Sequence, residues 1–237
     1  HIPVIVGQYI AGIYTNGSFQ SPYFAADLAE VAYGNNTYIA VGDNEIWSSN
    51  NAESWSPVLA FEYTNVSLQN IIYANGKFIA VGYLNDENDT NLGLILSSSD
   101  GESWSITYTA PDVEQDSSLL GITYGNGKYV AVGDGVVVTS TDGVNWTSNL
   151  VESGNQTFYA VTYGNSQYVA VGVDGAIFRS NNAESWIEAT SGITSWLSGI
   201  TYANGKYTAV GDLGIVLNSN DGITWTEQQT STSNGLI

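Results

Sequence analysis

A chain of 237 residues with 43% hydrophobic and 12% aromatic side chains is long enough to bury a sizeable core, and 23 acids against four Lys and Arg leave it at −19. That charge repels nucleic acid and anionic membranes, whose binding needs clustered bases, and no apolar run approaches the roughly 18 residues of a membrane helix. Cysteine is absent, which excludes disulfides and thiolate metal sites. The chain opens His-Ile-Pro-Val and holds no methionine, so it reads as a processed product or a trimmed piece without a signal peptide. Its acidity fits solubility in a secreted or cell-envelope setting, with cation binding as the alternative. Six Asn-x-Ser/Thr sequons begin at Asn16, Asn35, Asn65, Asn88, Asn145 and Asn155, and they matter only in a glycosylating pathway.

In chain order, the first segment reads as an incomplete repeat. Val4-Ile-Val-Gly7 matches a strand that recurs later as Ala-Val-Gly, and Ala11-Gly-Ile-Tyr-Thr-Asn-Gly17 matches a third strand and a worn turn, with Phe19 in place of a tryptophan. The full repeat follows. A strand ending in Tyr33 turns through Gly-Asn-Asn into Tyr38-Ile-Ala-Val-Gly42. The pair returns as Tyr73 with Phe78-Ile-Ala-Val-Gly82, Tyr124 with Tyr129-Val-Ala-Val-Gly133, Tyr163 with Tyr168-Val-Ala-Val-Gly172, and Tyr202 with Tyr207-Thr-Ala-Val-Gly211. The connections are rich in Asn and Gly, which tolerate the positive φ of tight hairpins.

A third strand such as Gly135-Val-Val-Val-Thr-Ser140 comes next, then a turn and a fourth strand opening on Trp55, Trp104, Trp146, Trp186 or Trp225. Helical periodicity is missing throughout. At the far end, Ser233-Asn-Gly-Leu-Ile237 resembles the start of a first strand. In intact repeats the glycine of that strand precedes the glycine of the second by 12 positions, as Gly121 to Gly133; from Gly235 to the end and on from His1 to Gly7 there are nine. The shortfall fits a hairpin turn cut open at the chain ends. The expected fold is all-β: one domain, 1–237, forming a six-bladed β-propeller of four-stranded antiparallel blades closed by the C-terminal strand joining the N-terminal blade. The repeats span about 1–27 plus 231–237, 28–60, 61–110, 117–150, 156–190 and 195–230, with five or seven blades as alternatives.

The turn before each tryptophan has its own chemistry. Three read Ser98-Ser-Asp-Gly-Glu-Ser-Trp104, Ser140-Thr-Asp-Gly-Val-Asn-Trp146 and Ser219-Asn-Asp-Gly-Ile-Thr-Trp225, and two replace Asp-Gly by Asn-Ala. Asp100, Asp142 and Asp221 are placed to accept bonds from nearby backbone N–H groups, while glycine supplies a conformation that other residues resist. The tryptophan is expected to pack between neighbouring blades, burying ~150–250 Å² worth roughly 4–6 kcal/mol at most, so that Trp146→Ala costs roughly 3–5 kcal/mol. These turns resemble the Asp-box, or BNR, repeat of sialidase-like propellers, Ser/Thr-x-Asp-x-Gly-x-x-Trp, although here Asp and Gly are adjacent. The resemblance implies the propeller and says little of activity, because the fold hosts many. Sialidases of that family grip a carboxylate with three arginines, and this chain has Arg179 alone, beside the box residue Ser180; sialidase activity is rejected.

The strand order puts hairpins and boxes on one face, and interblade loops and the turns after Ala-Val-Gly on the other. Variation gathers on the second face, in 57–66, 107–117, 150–156 and 189–196, where a rigid scaffold displays binding residues. Trp196 and Tyr108 in those loops, and Tyr83 beside an insertion at 84–91, are the ligand-binding candidates, since aromatics beside carboxylates suit sugar rings; the alternative is that they tuck against neighbouring loops. Asp43, Asp134, Asp174 and Asp212 fall in the turns and would form a ring suited to calcium, which takes about 6–8 oxygen ligands, unless Asp is there only because it favours turns. No other cofactor is expected. Hydrolytic triads need a base, and the one histidine is His1. The reading is thus a non-catalytic binding or scaffold propeller, a monomer that recognises glycan or protein and neither binds nucleic acid nor inserts in membranes. Its alternatives are a glycoside hydrolase acting on polysaccharide through paired carboxylates and a calcium-dependent adhesin-like module.

Overall fold

Short apolar strands joined by Asn-Gly turns fold as antiparallel sheets, and no α-helix occurs among the described residues. The computed structural model describes residues 27–228, apart from 61–64, 87, 112–115 and 151–155, and three short strands before them. Those three, β1 (Val4–Ile5), β2 (Gly12–Thr15) and β3 (Ser18–Gln20), pair in order as a three-stranded sheet. Five four-stranded sheets follow. Sheet A holds β4 (Leu28–Gly34), β5 (Thr37–Gly42), β6 (Glu45–Ser49) and β7 (Ser56–Ala60). Sheet B holds β8 (Val66–Ala74), β9 (Lys77–Asn85), β10 (Asn91–Ser98) and β11 (Ser105–Thr109). Sheet C holds β12 (Leu119–Gly125), β13 (Lys128–Gly133), β14 (Val136–Ser140) and β15 (Thr147–Leu150). Sheet D holds β16 (Phe158–Gly164), β17 (Gln167–Gly172), β18 (Ile177–Ser180) and β19 (Ile187–Ala189). Sheet E holds β20 (Leu197–Ala203), β21 (Lys206–Gly211), β22 (Val216–Ser219) and β23 (Thr226–Glu227).

Each sheet is a meander whose strands pair in chain order. The chain divides into two compact units, His1–Ser118 with the three-stranded sheet and sheets A and B, and Leu119–Ile237 with sheets C to E. Five complete sheets are thus seen where six were expected. Residues 231–237, from which the closing strand was expected, lie outside the described residues, and ring closure is not shown.

Second and third strands carry the core because each is flanked by a strand on both sides. Ile39, Ala40 and Val41, like Val130, Ala131 and Val132, are fully buried. Fourth strands are sheet edges and stay largely exposed, as in Ser105–Thr109. The Ala-Val-Gly glycine has a steric cause: a Cβ on Gly42, Gly82, Gly172 or Gly211 would strike the backbone carbonyl of Asp27, Ser67, Thr157 or Trp196, at the start of the first strand. There the first strand bulges in all five sheets, for instance between Phe158 and Ala160. Neighbouring sheets also interlock within a unit. A side chain on Gly34, Gly125 or Gly164 would overlap the ring of Tyr73, Tyr163 or Tyr202 in the next sheet.

The box tryptophans sit shallower than full burial between blades requires. All five are half-buried, and Trp55, Trp104, Trp146 and Trp225 each pack, tilted or edge-on, against the second-strand ring of their own sheet, Tyr38, Phe78, Tyr129 or Tyr207, with centroids 6.1 to 6.4 Å apart. The fully buried rings are those partners, Phe78, Tyr129 and Tyr207, together with Tyr168 and Phe158. Trp104, Trp186 and Trp225 pack against core clusters drawn from two neighbouring sheets, as expected of indoles between blades. Because the box indoles are only half-buried, truncating Trp146 removes less buried surface than full burial would imply.

Candidate functional site

The turn after Ala-Val-Gly ties sheet A to sheet B and sheet C to sheet D. Asp43 Oδ1 accepts a hydrogen bond from the Ser67 hydroxyl at 2.5 Å, and Asp134 Oδ1 accepts one from the Thr157 hydroxyl at 2.7 Å. The same pairs form isolated β-bridges. Two carboxylates expected to face a metal are therefore engaged by hydroxyls of the following sheet. Asp174 does not share their position, because Val173 occupies it; Asp174 comes one residue later, exposed, with a left-handed φ of 52°. Among the described residues no three carboxylates gather in a group able to hold a metal ion.

At the junction of sheets D and E this clasp is rebuilt from other residues. In sheets A, D and E the first N–H of the turn donates to the residue preceding the sheet's own first strand: Asp43 to Asp27 O, Val173 to Thr157 O, Asp212 to Trp196 O, at 3.0 to 3.1 Å. Trp196 therefore stands where Thr157 stands one sheet earlier. An indole replaces the hydroxyl, and Val173 replaces the carboxylate that would have gripped it. Trp196 is 49% exposed and packs against Tyr159, ring centroids 5.9 Å apart and tilted by 38°. Tyr159 is the bulged residue of β16. Burial, followed by the negative charges of Asp134 and Asp212, pushes its hydroxyl above the usual tyrosine pKa. The aromatic pair thus lies in the field of two carboxylates.

Next to Asp212 comes Leu213, 64% exposed and left-handed at φ 60°. The left-handed residue of the corresponding turn is Asn44, Gly135 or Asp174 in sheets A, C and D. Asn, Asp and Gly adopt this conformation readily, whereas a leucine is held there at roughly 1–2 kcal/mol. Strain of this kind is kept where the surroundings or a function require it.

The other aromatic candidates are placed differently. Tyr83 lies within β9 opposite Ser67 and Gly93, and Tyr108 within β11 opposite Ile95; neither is in a loop, and both are half-buried. Both belong to the first unit and Trp196 to the second. The insertion is a β9–β10 hairpin capped by Asp86, whose Oδ1 accepts the N–H groups of Asn88 and Thr90 at 2.8 Å. Arg179 lies in β18 with its Nε buried and without a partner. A shallow polar cavity of about 370 Å³ on sheet E, lined by Lys206, Asn218, Asp221 and Gln228, is walled by box residues. His1 lies outside the described residues, as do most interblade loops; the 190–196 connection is described throughout.

Tyr159 and Leu213 were not singled out by sequence. Aligning the repeats on the bulge would have shown a tyrosine where other sheets have Ala29, Gln69, Leu120 and Ser198, and aligning the turns would have shown a leucine among Asn, Gly and Asp.

No protein-family model matches the chain, and a search of curated proteins gives no match. Solved structures do. YCF48 bound to D1 peptide is 17% identical over 96% of this chain and 77% of that one, with a TM-score of 0.68. Virginiamycin B lyase from Staphylococcus aureus is 13% identical over 94% and 78%, with a TM-score of 0.77. A chain of a nidogen/laminin complex is 12% identical over 95% and 91%, with a TM-score of 0.65. At such identities the likeness carries the fold alone, and these structures are β-propellers: the sheets of this chain are propeller blades.

Proposed function

We propose that the chain is a non-catalytic binding propeller that takes a polypeptide partner on the face bearing its interblade loops, with Trp196 at the centre of contact. The observation that carries this is the exposed indole of Trp196, packed on Tyr159 at a junction where the two preceding clasps use small hydroxyl residues. Large aromatics displayed on a rigid edge are the usual anchors of protein contacts. YCF48, of similar fold, is seen bound to a peptide, and the nidogen/laminin structure is itself a complex of proteins. The lyase, by contrast, is catalytically inactive once one histidine becomes alanine, and the single histidine here is His1. The test is a random-peptide display selection on the intact protein and on Trp196→Ala. Clones retained by the parent and released by the variant are expected; identical retention overturns the proposal. A glycan array whose signals depend on Trp196 would assign the site to sugars instead.

The finer architecture is proposed too: six blades in one domain, with residues 231–237 adding a fourth strand to β1–β3, and turns of the Asp-box kind. Three strands in the first sheet against four in every other support it. Deleting 231–237 is then expected to lower Tm by about 10 °C, the loss of several kcal/mol in a chain of this size. An unchanged melting curve overturns the closure.

A further inference from the structure

We infer that the segment recognised at Trp196 is cationic: a Lys- or Arg-bearing stretch of polypeptide whose head group lies over the indole beside Asp212, with an aliphatic neighbour against Leu213. This rests on the binding reading above and names its partner class.

Two departures from the repeat meet at one edge of sheet E. The position that gives Ser67 and Thr157 to a clasp gives Trp196 to solvent, and the turn hydrogen-bonded to Trp196 O displays Leu213 in a conformation that Asn, Gly and Asp take elsewhere. An exposed indole and an exposed, strained leucine together form an apolar contact surface, and the charge around it selects what can approach. Asp134 and Asp212 both act on Tyr159, the ring under Trp196. Asp174 is exposed in the preceding turn. The chain's bases are elsewhere: Lys77, Lys128 and Lys206 open second strands beside the hairpins, and Arg179 is in β18. Lys128 is further held by Asn182 O and Glu184 at 2.9 and 3.2 Å. With a net charge of −19 an acidic segment is repelled, whereas a basic one is drawn in and finds an aromatic face beside a carboxylate.

The sequences recovered in the display selection test the class directly. Trp196-dependent clones are expected to be enriched in Lys and Arg over the input library. A synthetic peptide of the most enriched sequence should bind about tenfold more weakly to Trp196→Ala, and about threefold more weakly to Asp212→Asn. It should also weaken as salt is raised from about 50 to about 300 mM, while Glu184→Gln at the box edge leaves it unchanged. Leu213→Asn separates contact from folding: it is expected to melt no lower than the parent and still to bind less well. Trp196-dependent clones without basic enrichment, or with salt-independent affinity, would overturn the cationic class and leave the binding reading standing. No Trp196-dependent clone at all would remove both.

Discussion

Tyr168 reaches through the core to donate its hydroxyl to Gly125 O, one sheet earlier, at 2.6 Å, and Tyr207 does the same to Gly164 O. Phe78 fills the equivalent place in sheet B, fully buried, so the ring alone packs well and the hydroxyl is a separate contribution. Tyr168→Phe leaves a carbonyl in the core without this donor. A loss of about 1–3 kcal/mol at neutral pH is expected, read by urea denaturation; an unchanged midpoint would show that the bond adds nothing. Alkali supplies a second reading. Burial, then the neighbouring Tyr163 and Tyr124, push the Tyr168 hydroxyl up to about 12. The folded state thus holds a proton that the unfolded chain gives up near pH 10, so the contribution of Tyr168 is complete below about 10 and is lost as pH rises through about 12. The stability gap between parent and Tyr168→Phe is expected to narrow above pH 10.

In the box turn, one side chain organises a whole connection. Asp100 Oδ1 accepts the N–H groups of Glu102 and Ser103 at 2.8 Å and the Ser98 hydroxyl at 3.0 Å, which lowers its pKa to about 2. Asp142 and Asp221 are lowered by the same kinds of bond. Asn51 and Asn182 make the matching contacts through an amide oxygen that does not titrate. A depressed carboxylate contributes stability above its unfolded pKa, near 4, and loses it as pH falls through the folded value. The triple variant Asp100→Asn, Asp142→Asn, Asp221→Asn should therefore fold normally at pH 7 and melt with a flatter dependence between pH 4 and pH 2; parallel acid curves would deny the carboxylates this role. Boxes and hairpins were legible because their causes are local: an Asn or Gly that accepts positive φ, a Ser two residues before an acid. The depth of the tryptophans was not. It depends on the fourth strand being an edge, a property of the sheet that no single strand displays. Trp196 was legible as a lone indole in a variable loop. Tyr159 was hidden by a bulge that turns an ordinary strand position, and Leu213 by a turn whose handedness shows only in three dimensions.

Across the whole chain the acids have scattered local uses, as turn caps and as clasps, yet few of them are neutralised. Among the described residues one ion pair occurs, Lys128 with Glu184 at 3.2 Å, against a net charge of −19. Self-repulsion of that size opposes the compact state and is screened over about 8–10 Å at physiological salt. Raising sodium chloride from about 20 to about 300 mM is expected to raise Tm at pH 7, since the screened term is unfavourable to folding. The same increase should weaken a basic partner, because there the screened term is attractive. Opposite signs under one change of solvent separate the two roles of the acidity. A Tm that is flat or falling with salt would mean that the carboxylates are already compensated within the fold, and the long-range attraction assigned to the Trp196 face would lose its source.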